Sequence, residues 1–102
     1  MAIKNLSQLK KALAAGAMFR IEKHHLHPEM NGQIRVPNIV QTNGLYTHEY
    51  GKPNSPVSTA NYGKGYWLSY GKAADWDFSG STIKLIQRGR PVFEITVLSA
   101  QA

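Results

Sequence analysis

Residues 62–78 read YGKGYWLSYGKAADWDF, and this one segment holds both tryptophans, three of the five tyrosines and one of the three phenylalanines. Aromatic rings at this density have two uses in a small protein. They fill the core of a β-domain, or they form a surface that stacks on a partner. The way in which this segment folds therefore decides both the core and the surface that remains for function.

Side-chain alternation assigns some of these rings to the core. Alternate residues of a strand face opposite sides of the sheet, so Trp76 and Phe78 share one face of the strand that contains them. We expect these two rings to fill the core, together with either Trp67 or Leu68 from the preceding strand.

The tyrosines of the same segment are predicted to lie at the surface. Tyr66 and Tyr70 share a face of a short strand, and Lys64 and Lys72 flank them. Aromatic rings interleaved with lysines suit single-stranded nucleic acid, and they equally suit a protein interface, where tyrosine is enriched. The segment thus predicts a core with a tyrosine-lysine face beside it.

An amphipathic helix is predicted near the N-terminus, at about residues 6–15. Asn5 can cap the helix, and Gln8 stands where it completes a capping box. Gly16 favours the end of the helix because it can adopt the left-handed conformation. The spacing of three leucines predicts one buried face: Leu6, Leu9 and Leu13.

Residues 17–98 are β-rich, apart from a long loop at about residues 51–65 that is rich in Gly, Pro and Ser. Pro37 marks an edge or a bulge in the second strand, because proline gives no ladder hydrogen bond. Asn43 and Gly44 predict a two-residue hairpin turn. We expect a single α+β domain over residues 1–102. In it, the short helix packs on a small, strongly curled antiparallel sheet or an SH3-like barrel of five to six strands.

The charge balance favours anionic partners. Twelve Lys and Arg face six Asp and Glu, which gives a formal net charge of +6 and an isoelectric point near 9.8. Such a balance suits nucleic acid or an acidic protein surface, although a charge of this size also serves solubility. The chain has no cysteine, no apolar run long enough to span a bilayer and no secretory signal, so we expect a cytoplasmic protein without a membrane partner.

The histidines and the Gly-Lys pairs give no firm catalytic or metal signal. His25 and His27 lie two residues apart, on one face of a strand, and His48 is a further candidate ligand. A zinc site needs three or four ligands in defined geometry, and solvent-facing histidines at a strand end are the simpler interpretation. The Gly-Lys pairs match no phosphate-loop motif. We expect no metal, no cofactor and no enzymatic activity.

Three segments carry a resemblance: NLSQLKKAL at 5–13 leading into FRI at 19–21, VQTNGLY at 40–46, and WLSYGKAADWDF at 67–78. Together they resemble small uncharacterised proteins that are encoded by bacteriophages and other bacterial mobile elements. The resemblance carries structural motifs and no catalytic motif. It implies a bacterial cytoplasm and an accessory protein that acts on host machinery or host defence.

The leading hypothesis is a non-catalytic binding module that docks on a protein or nucleoprotein with an acidic surface, with the inhibition of a host defence as one role. The alternative is a small basic domain that binds nucleic acid directly, and a metal-dependent enzyme built on His25, His27 and His48 is a third class. Tyrosine supplies contact area and the basic residues meet acidic groups. The predicted partner-binding residues are Tyr62, Lys64, Tyr66, Tyr70, Lys72, Arg88 and Arg90.

Overall fold

The protein is an α+β structure in which a short helix is followed by antiparallel strands. The computed structural model describes residues 3–50 and 66–100, so the loop predicted at about 51–65 lies outside the described residues. Single 3-10 turns occur at Pro28–Met30 and Ala73–Asp75. The elements are α1 (Leu6–Ala14), β1 (Ala17–His24), β2 (Ile34–Gln41), β3 (Gly44–Glu49), β4 (Tyr66–Ser69), β5 (Trp76–Asp77), β6 (Ile83–Gln87) and β7 (Arg90–Ala100).

The predicted caps begin and end α1. The Asn5 side chain accepts a hydrogen bond from the Gln8 backbone N–H at 2.9 Å. The Gln8 side chain in turn accepts from the backbone N–H of Lys4 at 2.7 Å, one residue earlier than in a standard capping box. Gly16 follows the helix with a φ of +98°, which favours glycine. The three leucines of the predicted face are buried against the sheet: Leu6, Leu9 and Leu13.

The order of the strands requires the sheet to curl. Among the described strands the order is β4-β3-β2-β1-β7-β6-β5. The outermost two of these, β4 and β5, are joined by residues 70–75. The outer strands of a flat sheet of this width would lie about 29 Å apart, whereas even a fully extended connection of this length reaches about 24 Å. The sheet is therefore curved, and the indole N–H of Trp76 in β5 donates to the Tyr70 carbonyl at 2.7 Å.

The curved sheet stays open. Within residues 3–50 and 66–100 no backbone pairing joins β4 to β5, and the sheet has seven strands in that part of the chain. The α+β class is confirmed, whereas the SH3-like barrel and the count of five to six strands are not supported. The described strands outnumber the predicted ones because each short β segment of the C-terminal half forms its own strand, including β5 with only two residues.

The hairpin between β2 and β3 is confirmed, but its turn lies one residue earlier than predicted. Gln41 pairs with Gly44, so the turn residues are Thr42 and Asn43, and Gly44 is the first residue of β3. Gly44 has a packing role instead. A Cβ at this position would clash with the backbone carbonyl oxygen of Leu68 and would lie 2.8 Å from Cζ2 of Trp67.

Irregularities in the strands decide which side chains reach the core. The predicted break at Pro37 is a register shift in the pairing of β2 with β3. A second shift, between Ile21 and Lys23 of β1, pairs Ile21 with Ile95 and His24 with Phe93. Because Ile95 and Phe93 lie two residues apart on one face of β7, this bulge turns His24 to the same face as Ile21.

The predicted core rings are confirmed, and Leu68 supplies the core position that was left open. Trp76 is buried, Phe78 packs against the core, and the Leu68 side chain is fully buried. Trp67 lies half-buried on the other face of β4, with its ring centroid 4.8 Å from that of Tyr46. The inner face of β4 is thus the one that carries Leu68.

Substituting Gly44→Ala is expected to destabilise the protein by about 1–3 kcal/mol, because the added methyl group overpacks the β3–β4 pair. The free energy of unfolding from denaturant titration measures this loss. Gly80→Ala is the matched control, since the nearest atom to its added Cβ is 3.9 Å away, and we expect it to stay within about 0.5 kcal/mol of the parent. Equal effects of the two substitutions would contradict the close approach of β4 to Gly44.

Candidate functional site

Three of the predicted cationic residues lie together at one surface depression. The depression has a volume of about 890 Å³ and lies where the β6–β7 turn meets the connection between β4 and β5. Lys72, Arg88 and Arg90 are all exposed there, and one carboxylate, that of Asp75, accompanies them. We call this the basic depression, and the described residues that line it are Leu26, Lys72, Asp75, Gln87, Arg88, Arg90, Pro91 and Val92.

A tight turn presents the two arginines. Gln87 pairs with Arg90, so the two turn residues are Arg88 and Gly89, with φ values of +53° and +75°. Positive φ at both positions is the signature of a type I′ hairpin turn, in which Asn-Gly is the favoured pair. An L-residue other than glycine or asparagine costs about 1–2 kcal/mol in this conformation. The chain thus places an arginine at a position where its backbone is strained.

The connection between β4 and β5 brings Lys72 and Asp75 to the same place. The Asp75 N–H donates to the Lys72 carbonyl at 3.0 Å, which closes the 3-10 turn. Gly71 has a φ of +58°, and a Cβ there would lie 3.2 Å from Nε2 of Gln87 and 3.5 Å from a carboxylate oxygen of Asp75. The connection therefore packs closely against the end of β6.

An apolar part of the depression comes from the loop after β1. Leu26 is 64% exposed, yet its backbone is held in place. Its N–H donates to Nδ1 of the buried His24 ring at 3.3 Å, and the N–H of His27 donates to the same atom at 3.1 Å. The N–H of the intervening His25 donates to the Val92 carbonyl at 2.8 Å. Leu26 is thus an exposed aliphatic side chain on a backbone that is held in place.

The buried His24 corrects the expectation of solvent-facing histidines at this strand end. Its ring is 2% exposed and lies with its centroid 5.6 Å from that of Phe93. Burial, and next the charge of His27, lower the pKa of His24 to about 4. The ring is therefore neutral at pH 7, with Nδ1 as an acceptor for the loop amides. The bulge in β1 that turns this ring inward has no counterpart in the local sequence pattern.

Each of the other histidines has a different charged neighbour. His25 Nε2 is 3.8 Å from a carboxylate oxygen of Glu94, and His27 Nδ1 is 3.8 Å from one of Glu29. Burial, and next the Arg35 charge, lower the pKa of His48 on β3. In the part of the chain that the structure describes, no group of three or more His, Asp or Glu side chains is arranged to hold a metal ion.

Only part of the predicted tyrosine surface belongs to the described residues, and there the structure corrects the expected position of Tyr70. Tyr70 is 3% exposed and belongs to the core, because it shares the inward face of Leu68. Burial raises the pKa of its hydroxyl, and the ammonium of Lys10 lies 5.0 Å from the centroid of its ring. Tyr66 belongs to β4. Tyr62 and Lys64 lie outside the described residues.

Sequence reasoning missed the other residues that line the depression. Gln87, Pro91 and Val92 fall within the β-rich region, where no functional role was predicted for them, and Asp75 lies in a 3-10 turn. Leu26 carried one usable signal, since a lone aliphatic residue among histidines in a loop is unusual. Its exposure follows from the bonds of His24, which the local sequence does not display.

Comparison of the chain with protein-family models, with curated protein sequences and with solved structures gave no match. Among residues 3–50 and 66–100 no helix is long and apolar enough to cross a membrane. The function must therefore be argued from the side chains of the basic depression and from their charge.

Substituting Arg88→Asn is expected to raise the free energy of unfolding by about 0.5–1 kcal/mol, because asparagine tolerates the left-handed conformation. Denaturant titration measures the gain. Arg90→Asn removes the same charge from a neighbouring strand position without positive φ, so it controls for charge repulsion and should give no gain. Equal stabilisation by both substitutions would attribute the effect to charge and contradict backbone strain at Arg88.

His24 makes stability depend on pH. Its pKa is about 4 in the folded protein against an ordinary value of 6.5, so the unfolded chain binds the additional proton between these values. The free energy of unfolding should consequently fall as the pH is lowered through this window, by up to about 3 kcal/mol. Denaturant titrations between pH 7 and about 4 measure the slope.

His24→Gln is the control for this slope. The variant should be less stable at neutral pH, because the glutamine oxygen stands one bond further from Cβ than Nδ1 and leaves the loop amides without an acceptor at that position, but its stability should depend less on pH in the same window. His48, whose pKa is also lowered, remains in both proteins and cancels in the comparison. An unchanged slope in the variant would show that His24 does not carry the acid sensitivity.

Proposed function

We propose that this protein is a non-catalytic binding module that docks, through the basic depression, on the acidic surface of a protein or nucleoprotein. The observation that supports the proposal is the convergence of Lys72, Arg88 and Arg90 on one depression, although residues 73–87 separate the first from the other two. In the setting that the resemblance implies, it acts in a bacterial cytoplasm as a phage or mobile-element accessory protein, with a host defence protein as one target.

The charges of the depression support an anionic partner. Three cations lie beside the single carboxylate of Asp75, and the whole chain carries a formal net charge of +6. Complementary charge accelerates encounter and fixes the orientation of docking. Arginine adds a planar fork of donors that matches a carboxylate in a bidentate manner. The depression is thus suited to a partner that presents carboxylates.

Direct binding to nucleic acid is the alternative, since the same arginines suit phosphate oxygens. Recognition of a single strand also requires rings on which bases stack. None of the described residues that line the depression is aromatic, and Tyr70, which was expected to supply a ring, is buried. This difference favours an acidic protein surface over a single strand.

A charge-matched pair of variants tests the proposal. The first variant combines Lys72→Ala, Arg88→Asn and Arg90→Ala. The second combines Lys4→Ala, Lys11→Ala and Lys23→Ala, which removes as much charge from exposed positions that do not line the depression. Binding to labelled poly-glutamate and to labelled single- and double-stranded oligonucleotides is measured at low and at physiological salt.

We expect the first variant to bind poly-glutamate at least about tenfold more weakly than the parent at low salt, and the second to lose much less. Equal losses would show that net charge alone drives binding, which would contradict a docking site at the depression. Oligonucleotide binding that is tighter than poly-glutamate binding, with a steep dependence on salt, would establish the alternative instead.

A further inference from the structure

The basic depression joins an apolar part to its cationic part. Leu26, Pro91 and Val92 supply aliphatic surface beside the exposed arginines. A single exposed leucine is ordinary on a protein surface, but two facts distinguish this one. Its backbone is fixed through the buried ring of His24, and it lines the same depression as the three cations. A partner seated among the cations therefore meets an aliphatic side chain whose backbone is held in place.

We propose that the depression takes an acidic peptide segment of its partner in which a large apolar side chain adjoins a carboxylate. This inference rests on the proposed function and specifies the partner's chemistry. The carboxylate lies among Lys72, Arg88 and Arg90, and the neighbouring apolar side chain packs on Leu26. Burial of aliphatic surface then supplies affinity that salt does not screen, while the charges fix the register of the segment.

The carboxylate of Asp75 favours a peptide over a phosphate as the occupant. A fully ionised phosphate monoester carries two negative charges and no donor, so it is repelled by a carboxylate within the same depression. A peptide segment carries backbone N–H groups, which can donate to Asp75 while its acidic side chains meet the cations. Asp75, the one acidic residue among the described lining, thus acts against a fully ionised phosphate and can accept hydrogen bonds from a peptide backbone.

A second copy of the same chain fits the depression less well than an acidic partner. Each chain has a formal net charge of +6, so two copies repel one another at low salt. The exposed cations of the depression would then approach a molecule that carries the same excess of positive charge. The occupant is accordingly a different molecule, of opposite charge.

Three short labelled peptides test the inference on the whole protein. The first alternates Glu with Leu, the second has Ser in place of each Leu, and the third has Gln in place of each Glu. We expect the first to bind about tenfold more tightly than the second at physiological salt, because only the first can pack on Leu26. The third should bind more weakly than the first, because it offers no carboxylate.

Two exposed aliphatic residues give a matched pair of substitutions. Leu26→Ala should weaken the binding of the Glu-Leu peptide about tenfold and leave the affinity for the Glu-Ser peptide unchanged. Leu26→Met should restore most of the loss. Val40→Ala is the control, because Val40 is 44% exposed and does not line the depression. Leu26 is 64% exposed, so its substitution should leave stability nearly unchanged.

Each outcome supports or overturns the inference. Equal affinity for the Glu-Leu and Glu-Ser peptides, or an unchanged affinity in Leu26→Ala, overturns it and leaves the proposed docking on acidic surfaces intact. If the parent protein binds neither acidic peptide but binds an oligonucleotide tightly, the inference and the proposed function are both overturned. Concentration-dependent dimerisation that Leu26→Ala abolishes would assign the depression to a second copy and would also overturn the inference.

Discussion

The connection at residues 70–75 is the constraint on which the rest of the structure depends. It joins the two outermost strands of the sheet, and it is too short to reach across a flat sheet of this width. The indole N–H of Trp76 donates to the carbonyl of Tyr70 and holds the two edges near one another. Curling then gives the sheet an inner face, on which α1 and the large side chains form one core. The same connection carries Lys72 to the end of β6, so the curl of the sheet also creates the basic depression.

The fold was predictable where local chemistry decides it. Asn5 and Gly16 bound the helix as expected, and Pro37 coincides with a register shift. The prediction was wrong where a distant neighbour decides. Asn43 and Gly44 favour a turn locally, but the approach of β4 requires glycine at the first position of β3. Tyr70 and the histidines at the end of β1 were expected at the surface, but a bulge against β7 buries His24, and Tyr70 faces the core together with Leu68. These are effects of tertiary packing that no short window of sequence contains.

The candidate site, like the fold, was predictable only where local features of the sequence decide it. The cations of the depression were identified from their residue types, which are a local feature of the sequence. Their convergence was not predictable, because it follows from the curl that places residues 70–75 beside the β6–β7 turn. Leu26 could not be identified as a part of the site, since its fixed exposure depends on the His24 ring, and that ring is buried through pairing with β7.

Two departures from locally favoured structure meet at the basic depression. Arg88 has a strained backbone at a turn position that suits asparagine, and Leu26 keeps an aliphatic side chain in water on a loop that a buried imidazole holds rigid. Neither residue stabilises the fold. Asparagine would suit the turn backbone at Arg88 better, and a polar residue would suit the exposed position of Leu26 better. Sequences tend to depart from local preference where function requires it. A strained cation and an exposed aliphatic side chain thus line the depression together, and these are the groups that a carboxylate next to an apolar side chain would contact. For this reason we propose that the function lies at the depression rather than at the buried tyrosine.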